Sequence, residues 1–394
     1  MFASVEFQQR NVKTAHDLMK KCSAILKRNF MSVRELPNSA VVKVIHEVVT
    51  PFVLRKAIVI ATLGDNLALQ SLTTGKLGNT KLPATLANFP AFDEARARFY
   101  TLVYDSYEVV RLADFGDNLK DDDPGKLIVL FQRQLLLDEL KQWRASFTAM
   151  SSLISDTEID WMASYLLLYW SVCYISLTAC VSPRQTIFDD HIDHFIDIIN
   201  HAIIVLGNSA LYEPIHTLSS EEPGVIPALY FCATKCRHPI LRRQALHLIR
   251  QTPRLEDLWA FVAVDRVVAR VIALEEGEYP FTSSQSVSQH IRFPPEERRF
   301  AYVSIAGCQG YESKHRQALE LSRFIFAAGG SKSLVTEHFW LEDEEDVWGD
   351  TQCQDLGVVA RDRELYLGVR PCLTAQGEHM EDLWKYLGMA FTKR

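Results

Sequence analysis

The acidic and histidine side chains between residues 189 and 201 have the types and the spacing that could support chemistry. Within residues 189–194 (DDHIDH), Asp190 and His194 are four residues apart, and Asp197 and His201 repeat that spacing. Residues four apart share one face of a helix. A carboxylate and an imidazole placed in this way can bind a divalent metal ion or act as an acid–base pair.

A structural role explains the same residues. Asp189 and Asp193 also share a face, but the chain contains no HExxH motif and no identifiable third ligand. Aspartate at the start of a helix interacts favourably with the helix macrodipole. We therefore favour a capped, solvated helix start over a metal or acid–base site. No metal and no cofactor are expected, and no catalytic residue is assigned.

An aromatic series marks the candidate ligand site. Trp161, Tyr165 and Tyr169 are spaced by four residues, and Trp170 and Tyr174 lie alongside them. On one helical face they could line a pocket for a small apolar molecule, with hydroxyl groups as polar handles. Aromatic stripes of this kind are more often plain core, and we favour that interpretation. Trp161, Tyr165 and Tyr169 remain the residues to examine for a ligand pocket.

The sequence lacks common motifs of catalytic and nucleotide-binding sites. It contains no GxSxG and no GxGxxG, and Gly329–Ser333 (GGSKS) lacks the residue order of a phosphate-binding loop. None of the eight cysteines forms a CxxC pair, so no zinc cluster can assemble. Small buried thiols in a reducing compartment explain the cysteines better. We expect an intracellular protein of the nucleus or cytoplasm.

Composition narrows the classes of partner. The formal net charge is −7, whereas a nucleic-acid surface needs clustered Lys and Arg, so no direct nucleic-acid contact is expected. The longest apolar stretch, Met162–Val181, approaches the length of a membrane span. Its tyrosines and Trp170 fit a buried core helix equally well. Because no flanking basic residues or second span accompany it, we expect a core helix and no membrane.

Periodicity predicts an all-α fold. Apolar residues recur at intervals of three and four in eleven segments separated by proline, glycine and acidic turns. The predicted helices are 9–28, 40–74, 92–112, 126–154, 157–181, 189–206, 225–235, 239–251, 255–276, 294–305 and 312–328. We expect a multi-helix bundle of stacked helical pairs, orthogonal or antiparallel, with an irregular C-terminal region. The expected division is a helical domain over 1–330 and an extension packed on it over 331–394.

An acidic and aromatic passage lies in that extension, over His338–Trp348 (HFWLEDEEDVW). The mixture is typical of an activation or interaction segment. A solvated acidic turn whose aromatic side chains pack on the body is the alternative, and we favour it.

A specific phrase runs from Gly224 to Glu276. Its characteristic residues are Gly224-Val225-Ile226-Pro227, Leu229-Tyr230, Lys235-Cys236-Arg237-His238-Pro239, Leu241-Arg242-Arg243-Gln244-Ala245, Arg254-Leu255-Glu256-Asp257-Leu258-Trp259, Arg270-Val271-Ile272 and Glu275-Glu276. The phrase resembles the regulatory region of fungal binuclear-zinc-cluster transcription factors. Weaker similarity extends over residues 85–300, in Glu94-Ala95-Arg96, in Leu140, Trp143 and Phe147, and in Phe188-Asp189 and Phe195. The family's zinc cluster is absent from this chain.

Physical chemistry gives the phrase a role in folding. Arg237, Arg242 and Arg243 surround a helix break and can donate to free carbonyl groups or to a carboxylate such as Glu256 or Glu275. Trp259 on an apolar face would anchor one helix against another. We favour fold-specifying residues over a binding site here.

The resemblance implies a regulatory protein that lacks its own DNA-reading zinc cluster and acts through small-molecule sensing, protein contacts or both. The phrase departs from the family's usual wording at His238, Leu255 and Asp257. These departures favour an alternative, a diverged enzyme or ligand-handling protein of fungal secondary metabolism on the same scaffold. A purely structural oligomerisation module is a third, weaker interpretation. The expected partners are an apolar small molecule and a protein partner or second copy.

Overall fold

The structure is a computed structural model that describes residue 21 and residues 92–116, 124–151, 157–209, 224–252, 264–277, 293–306, 317–327 and 332–341. Most of these residues are helical, which confirms the all-α expectation. The α-helices of the described residues are α1 (Phe92–Gly116), α2 (Pro124–Ser151), α3 (Thr157–Ala179), α4 (Ile192–Ser209), α5 (Ile226–Lys235), α6 (Pro239–Gln251) and α7 (Val264–Glu276). A 3-10 helix, Gln185–His191, precedes α4. Several features predicted from sequence lie outside the described residues. They are the helix 40–74, the helix 9–28 apart from Lys21, the acidic and aromatic residues 342–348, Glu256 and Trp259.

Consecutive helices pair with one another. Helix α1 packs on α2, α3 on α4, and α5 on α6, while α3 also contacts α1 and α2, and α5 also contacts α4 and α7. This arrangement agrees with the expected stacking of helical pairs. The core runs through the α3 side chains Tyr165, Leu166 and Leu168, each with 0% exposure.

The break between α5 and α6 follows directly from sequence. Pro239 occupies the first turn of α6, where its missing N–H costs no hydrogen bond. The N-cap is His238, whose Nδ1 accepts from the Leu241 N–H at 3.4 Å. Burial lowers the pKa of His238 to about 4. The imidazole is therefore neutral near pH 7, and a nitrogen that accepts must be unprotonated.

Two tryptophans connect the first three helices. Trp143 of α2 donates its indole N–H to the Ala95 carbonyl of α1 at 2.9 Å. Its ring lies 4.5 Å from the rings of both Phe99 and Phe147. Trp170 of α3 donates to the Leu140 carbonyl of α2 at 2.8 Å. Each indole thus combines a large apolar contact with a satisfied N–H group, which fixes how the helices sit on one another.

Helix α3 is a core helix of the described bundle. The segment Trp161–Ala179 is long and apolar enough to cross a membrane, but 67% of it is buried inside the protein. Its end is closed by Arg133 of α2, which donates to the carbonyls of Leu177 at 2.6 Å and Thr178 at 3.1 Å. These carbonyls would otherwise lack helical partners.

A small antiparallel sheet follows the helices. Its strands are β1 (Tyr302–Ala306), β2 (Gln317–Phe326) and β3 (Lys332–Leu341), in the order β1-β2-β3. The predicted helices 294–305 and 312–328 are therefore wrong. Instead, Glu296–Arg298 forms a short 3-10 helix, and Leu319 and Leu321 alternate with more exposed residues so that one face of the sheet is buried.

The proposed division between 1–330 and 331–394 stays a prediction. Strands β2 and β3 lie on either side of it and pair from Gln317 with Leu341 to Phe326 with Lys332.

Removal of the Trp143 side chain tests the packing of α1 on α2. We expect Trp143→Ala to lower the free energy of unfolding by about 3 to 5 kcal/mol, because it opens a cavity and leaves the Ala95 carbonyl without its donor. Urea denaturation followed by circular dichroism measures this. The neighbouring exposed residue provides the control, since Gln142→Ala should change stability by less than about 0.5 kcal/mol. Equal effects of the two substitutions would contradict the packing described.

Candidate functional site

A buried carboxylate joins three parts of the fold. Glu275, in the last turn of α7, has 0% exposure. Its Oε1 accepts from Arg237 Nη2 at 3.0 Å and from the Phe300 N–H at 2.8 Å, and its Oε2 accepts from Arg242 Nη2 at 2.7 Å. The carboxylate thus connects α7 to the α5–α6 junction and to the segment that enters the sheet.

The two guanidinium groups also bind backbone carbonyls, two of them at the end of α5 and one at Phe300. Arg237 donates to Lys235 O at 2.7 Å and to Phe300 O at 2.9 Å, and Arg242 donates to Ala233 O at 3.4 Å. This confirms the prediction that these arginines bind free carbonyls and Glu275. The sequence analysis named Glu256 as a second candidate carboxylate, and it lies outside the described residues.

The electrostatics of this centre shift the pKa values of Glu275 and Arg237 downward, which favours the charged form of the carboxyl but not that of the guanidinium. Burial alone would raise the pKa of Glu275, but Arg237, Arg242 and the Phe300 N–H outweigh it, so the carboxyl pKa lies below its usual range. Burial lowers the pKa of Arg237, and Glu275 only partly opposes this. The difference arises because one carboxylate serves two guanidinium groups. The arrangement therefore stabilises the charged form of Glu275 more than that of Arg237.

A second ion pair lies beside the first. Arg243 donates to both carboxylate oxygens of Glu276, one of them at 2.9 Å. Arg242 Nη1 lies 3.7 Å from Glu276 Oε1, which is an ion-pair distance rather than a hydrogen bond. Arg237, Arg242 and Arg243 therefore each contact at least one of the last two glutamates of the phrase.

The segment 293–301 carries two residues that the sequence analysis missed. Arg299 holds Asp189 by two bonds of 2.7 and 2.8 Å. Glu296 accepts from the backbone N–H groups of Gln185 at 2.7 Å and Thr186 at 2.8 Å, which caps the 3-10 helix from a distant part of the chain. Asp189 is therefore not the solvated cap that we favoured. The charge run after Pro294-Pro295 was the only local signal for these contacts.

Asp190 and Asp193 of the 189–201 cluster are exposed, whereas His194 and Asp197 lie in the contact between helices. The His194 ring lies 4.8 Å from Tyr174 and 5.7 Å from Trp170. Arg144 of α2 lies 4.3 Å above the Trp170 ring, and its Nη2 is 3.5 Å from Asp197 Oδ2. The cluster thus forms part of the contact between α2, α3 and α4. Within the described residues, no three His, Cys, Asp or Glu side chains are placed to hold a metal ion.

Burial favours the neutral form of two histidines of this cluster, His191 and His201. It lowers the pKa of His201 to about 4, with Asp197 opposing and Arg144 assisting. Burial also lowers the pKa of His191, and neighbouring His194 adds to the effect. Asp197 behaves oppositely: burial would raise its pKa, but His194, Arg144 and His201 lower it. Neutral imidazoles whose pKa values lie below 6.5 are poorly placed for proton exchange near pH 7.

The predicted ligand residues lie in and beside the α3 core. Tyr165 is 0% exposed and Tyr169 is 3% exposed, with ring centroids 5.3 Å apart. The Tyr169 hydroxyl donates to Gly224 O at 2.8 Å, immediately before α5. Trp161 is half-buried and packs against the same core. A ligand pocket formed by Trp161, Tyr165 and Tyr169 stays a prediction.

Two of the described cysteines behave as inert core residues. Cys173 and Cys232 are buried, with 2% and 0% exposure. Burial raises the pKa of the Cys173 thiol to about 12. Burial also raises the pKa of Cys232, and neighbouring Cys236 adds to this. A thiol that stays protonated is a weak nucleophile and a poor metal ligand.

Comparison with known proteins adds nothing to the description of the site, which therefore rests on its geometry. No family model, no curated protein and no solved structure matches the chain.

Neutralisation of Glu275 tests the buried centre. Glu275→Gln keeps the shape of the side chain but removes the counter-charge of buried Arg237 and leaves Arg242 only the more distant carboxylate of Glu276, so we expect a loss of about 3 to 5 kcal/mol in the free energy of unfolding. Chemical denaturation at pH 7 measures the loss. Glu297→Gln makes the same chemical change at an exposed side chain of the same segment and should cost less than about 0.5 kcal/mol. A small effect at Glu275 would show that the buried ion pairs do not constrain the fold.

The pH dependence of stability tests the burial of His201. Its pKa is about 4 in the folded chain and about 6.5 when unfolded, so the unfolded state takes up the proton first. The free energy of unfolding should therefore fall as the pH falls from 6.5 to 4. His201→Gln should reduce the slope of this decline by an amount that corresponds to at most one bound proton. Urea denaturation between pH 4 and 6.5 measures the slope.

The comparison must be made between variant and parent, because other groups titrate in the same range. Burial raises the pKa of Asp105 to about 6, which strengthens the fold as the pH falls through that value and opposes the histidine effect. An unchanged slope in His201→Gln would mean that this imidazole is not held neutral by burial.

Proposed function

We propose that the chain is a regulatory protein whose helical body is like that of fungal binuclear-zinc-cluster transcription factors. It acts through binding of a small apolar molecule, contacts with another protein, or both, in the nucleus or cytoplasm, and it does not itself read DNA. The observation that carries this proposal is the mutual contact of the charged residues in the Gly224–Glu276 phrase. Arg237 and Arg242 bind Glu275, and Arg243 binds Glu276.

Burial supports a scaffold role for these residues. Arg237 is 1% exposed, and Arg242 and Glu275 are each 0% exposed. Side chains in this position cannot contact a phosphate backbone or a substrate without disruption of the fold. A charged cluster whose members pair with one another favours one packing of α5, α6 and α7. A regulatory protein needs such a packing in order to keep a defined conformation.

The Tyr169–Gly224 bond supplies a route for small-molecule sensing. It ties the aromatic stripe of α3 to the first residue of the phrase. Gly224 has φ of 71°, a backbone conformation that glycine adopts at low cost, and α5 begins two residues later. A molecule that entered beside Tyr169 and displaced its hydroxyl would change how the chain enters α5. The ligand would thereby act on the buried ion pairs.

A reporter assay tests the proposed function. The full chain is fused to an unrelated DNA-binding domain in a fungal host that carries the matching promoter. We expect reporter output to differ from that of the DNA-binding domain alone, and the difference to respond to added extracts of small apolar metabolites. Tyr169→Phe keeps the ring and removes the bond to Gly224, so it should alter the metabolite response.

Tyr174→Phe is the matched control, because Tyr174 lies on the same helix and stacks on Trp170 instead. The fusion proteins are checked for folding by circular dichroism after purification. A folded fusion whose reporter output equals that of the DNA-binding domain alone, with and without extract, would contradict the proposal.

A further inference from the structure

The N-terminal half of α2 carries half of the large apolar side chains that are exposed among the described residues. Phe131 is 65% exposed, and Leu127, Ile128, Leu130 and Leu135 accompany it within nine positions of the helix. We call these five residues the α2 patch. Single exposed apolar residues are ordinary, but contiguous ones mark a surface that another segment or partner covers.

The α2 patch contributes little to the packing of the described bundle. Helix α2 faces the core with other residues, among them Leu136, Leu140 and Trp143, which are buried. Its contact with the end of α3 is made by Arg133. The cover of the patch is therefore to be sought outside the described residues.

Charge distinguishes the two long parts of the chain that lie outside the described residues, 22–91 and 342–394. The acidic residues 121–123 (DDD) directly precede α2, at the end of the helix where the patch begins. Residues 342–394 contain twice as many acidic as basic residues, so like charges would repel them there. Within 22–91, the run 40–63 contains three basic residues and one acidic residue. Charge complementarity therefore favours the run 40–63.

The run 40–63 is also strongly apolar. Of its 24 residues, 16 are Ala, Val, Ile, Leu or Phe, and the run belongs to the predicted helix 40–74. A helix that is apolar on most sides is buried against another part of the protein. The run therefore needs an apolar surface, and the α2 patch is the largest group of exposed apolar side chains that the described residues offer.

The connection between this run and α1 is long enough to reach the patch. The ring of Phe92, at the start of α1, lies 5.8 Å from the ring of Phe147, so the chain enters α1 beside the C-terminal half of α2. Phe131 and Phe147 are about 24 Å apart along the helix axis at 1.5 Å per residue. Residues 64–91 separate the run from α1, and a flexible chain of that length spans roughly 30 Å. The run can thus lie on the patch without a change in the described helices.

We propose that residues 40–63 pack on the α2 patch of the same chain. This inference does not depend on the proposed function. A standard interface between separate chains buries about 800 Å² per partner, which is more than five partly exposed side chains supply. A tethered segment needs less area, because its effective concentration is on the order of millimolar. The same tether favours this segment over a second copy at micromolar protein concentration.

Hydrogen exchange of the full chain, measured by mass spectrometry, tests the contact from both sides. In the parent, the amides of residues 40–63 should be protected. Phe131→Glu with Leu135→Glu introduces charges into the patch, so those amides should exchange at least about tenfold faster. In the opposite direction, Ile45→Glu with Val49→Glu should speed the exchange of residues 126–135.

A matched control separates this contact from a general loss of stability. Leu334→Glu changes a similarly exposed residue on β3 and should alter exchange in neither segment. Slow exchange across α5 and α6 that equals that of the parent shows that each variant keeps its fold.

Three results would overturn the proposal. Amides of residues 40–63 that exchange in the parent as fast as those of an unstructured chain would show that the run packs on no surface. Protection of the run that persists in Phe131→Glu with Leu135→Glu would place it elsewhere on the protein. Protection that rises with protein concentration, together with dimers in sedimentation velocity, would assign the patch to a second copy.

Discussion

The bonds that Glu275 accepts from Arg237, Arg242 and the Phe300 N–H are the constraint on which the rest of the described fold depends. They connect the end of α7 to the α5–α6 break and to the strand segment that follows. Transfer of such charges out of water costs several kcal/mol per ion, so the arrangement adds little net stability over an apolar core. The arrangement instead selects one packing of the helices, because any other packing would leave a buried charge unpaired.

Different kinds of contact join the helices at the two ends of the helical body. Among the described residues, α1, α2 and α3 are joined by indole N–H groups, with Trp143 bound to Ala95 O and Trp170 bound to Leu140 O. The α5–α7 end is joined by buried ion pairs instead. The bond from Tyr169 to Gly224 connects the two ends. This hydrogen bond accompanies the packing of α5 on α3 and α4.

The sequence predicted best what depends on near neighbours. Pro239 indicated the helix break, and the arginines beside it indicated a carboxylate partner such as Glu256 or Glu275. Glu275 binds Arg237 and Arg242, whereas Arg243 binds Glu276. The pairing of Arg299 with Asp189 was missed because no local pattern connects residues 110 positions apart. Strand β2 was predicted as part of a helix because its apolar residues recur at intervals of three and four, and only pairing with β1 and β3 decides otherwise. The aromatic stripe was found, but sequence does not distinguish a core from a pocket.

The capping of the 3-10 helix by Glu296 has a consequence for how the protein is made. Glu296 bonds to Gln185 and Thr186, 111 and 110 residues earlier in the chain. At about 5 to 20 residues per second, the ribosome synthesises that interval in roughly 5 to 20 s. During this time the nascent helices wait with those N–H groups uncapped and Asp189 without its arginine. The described helical body therefore gains these contacts only after residues 293–301, which follow α7 in the chain, have been synthesised.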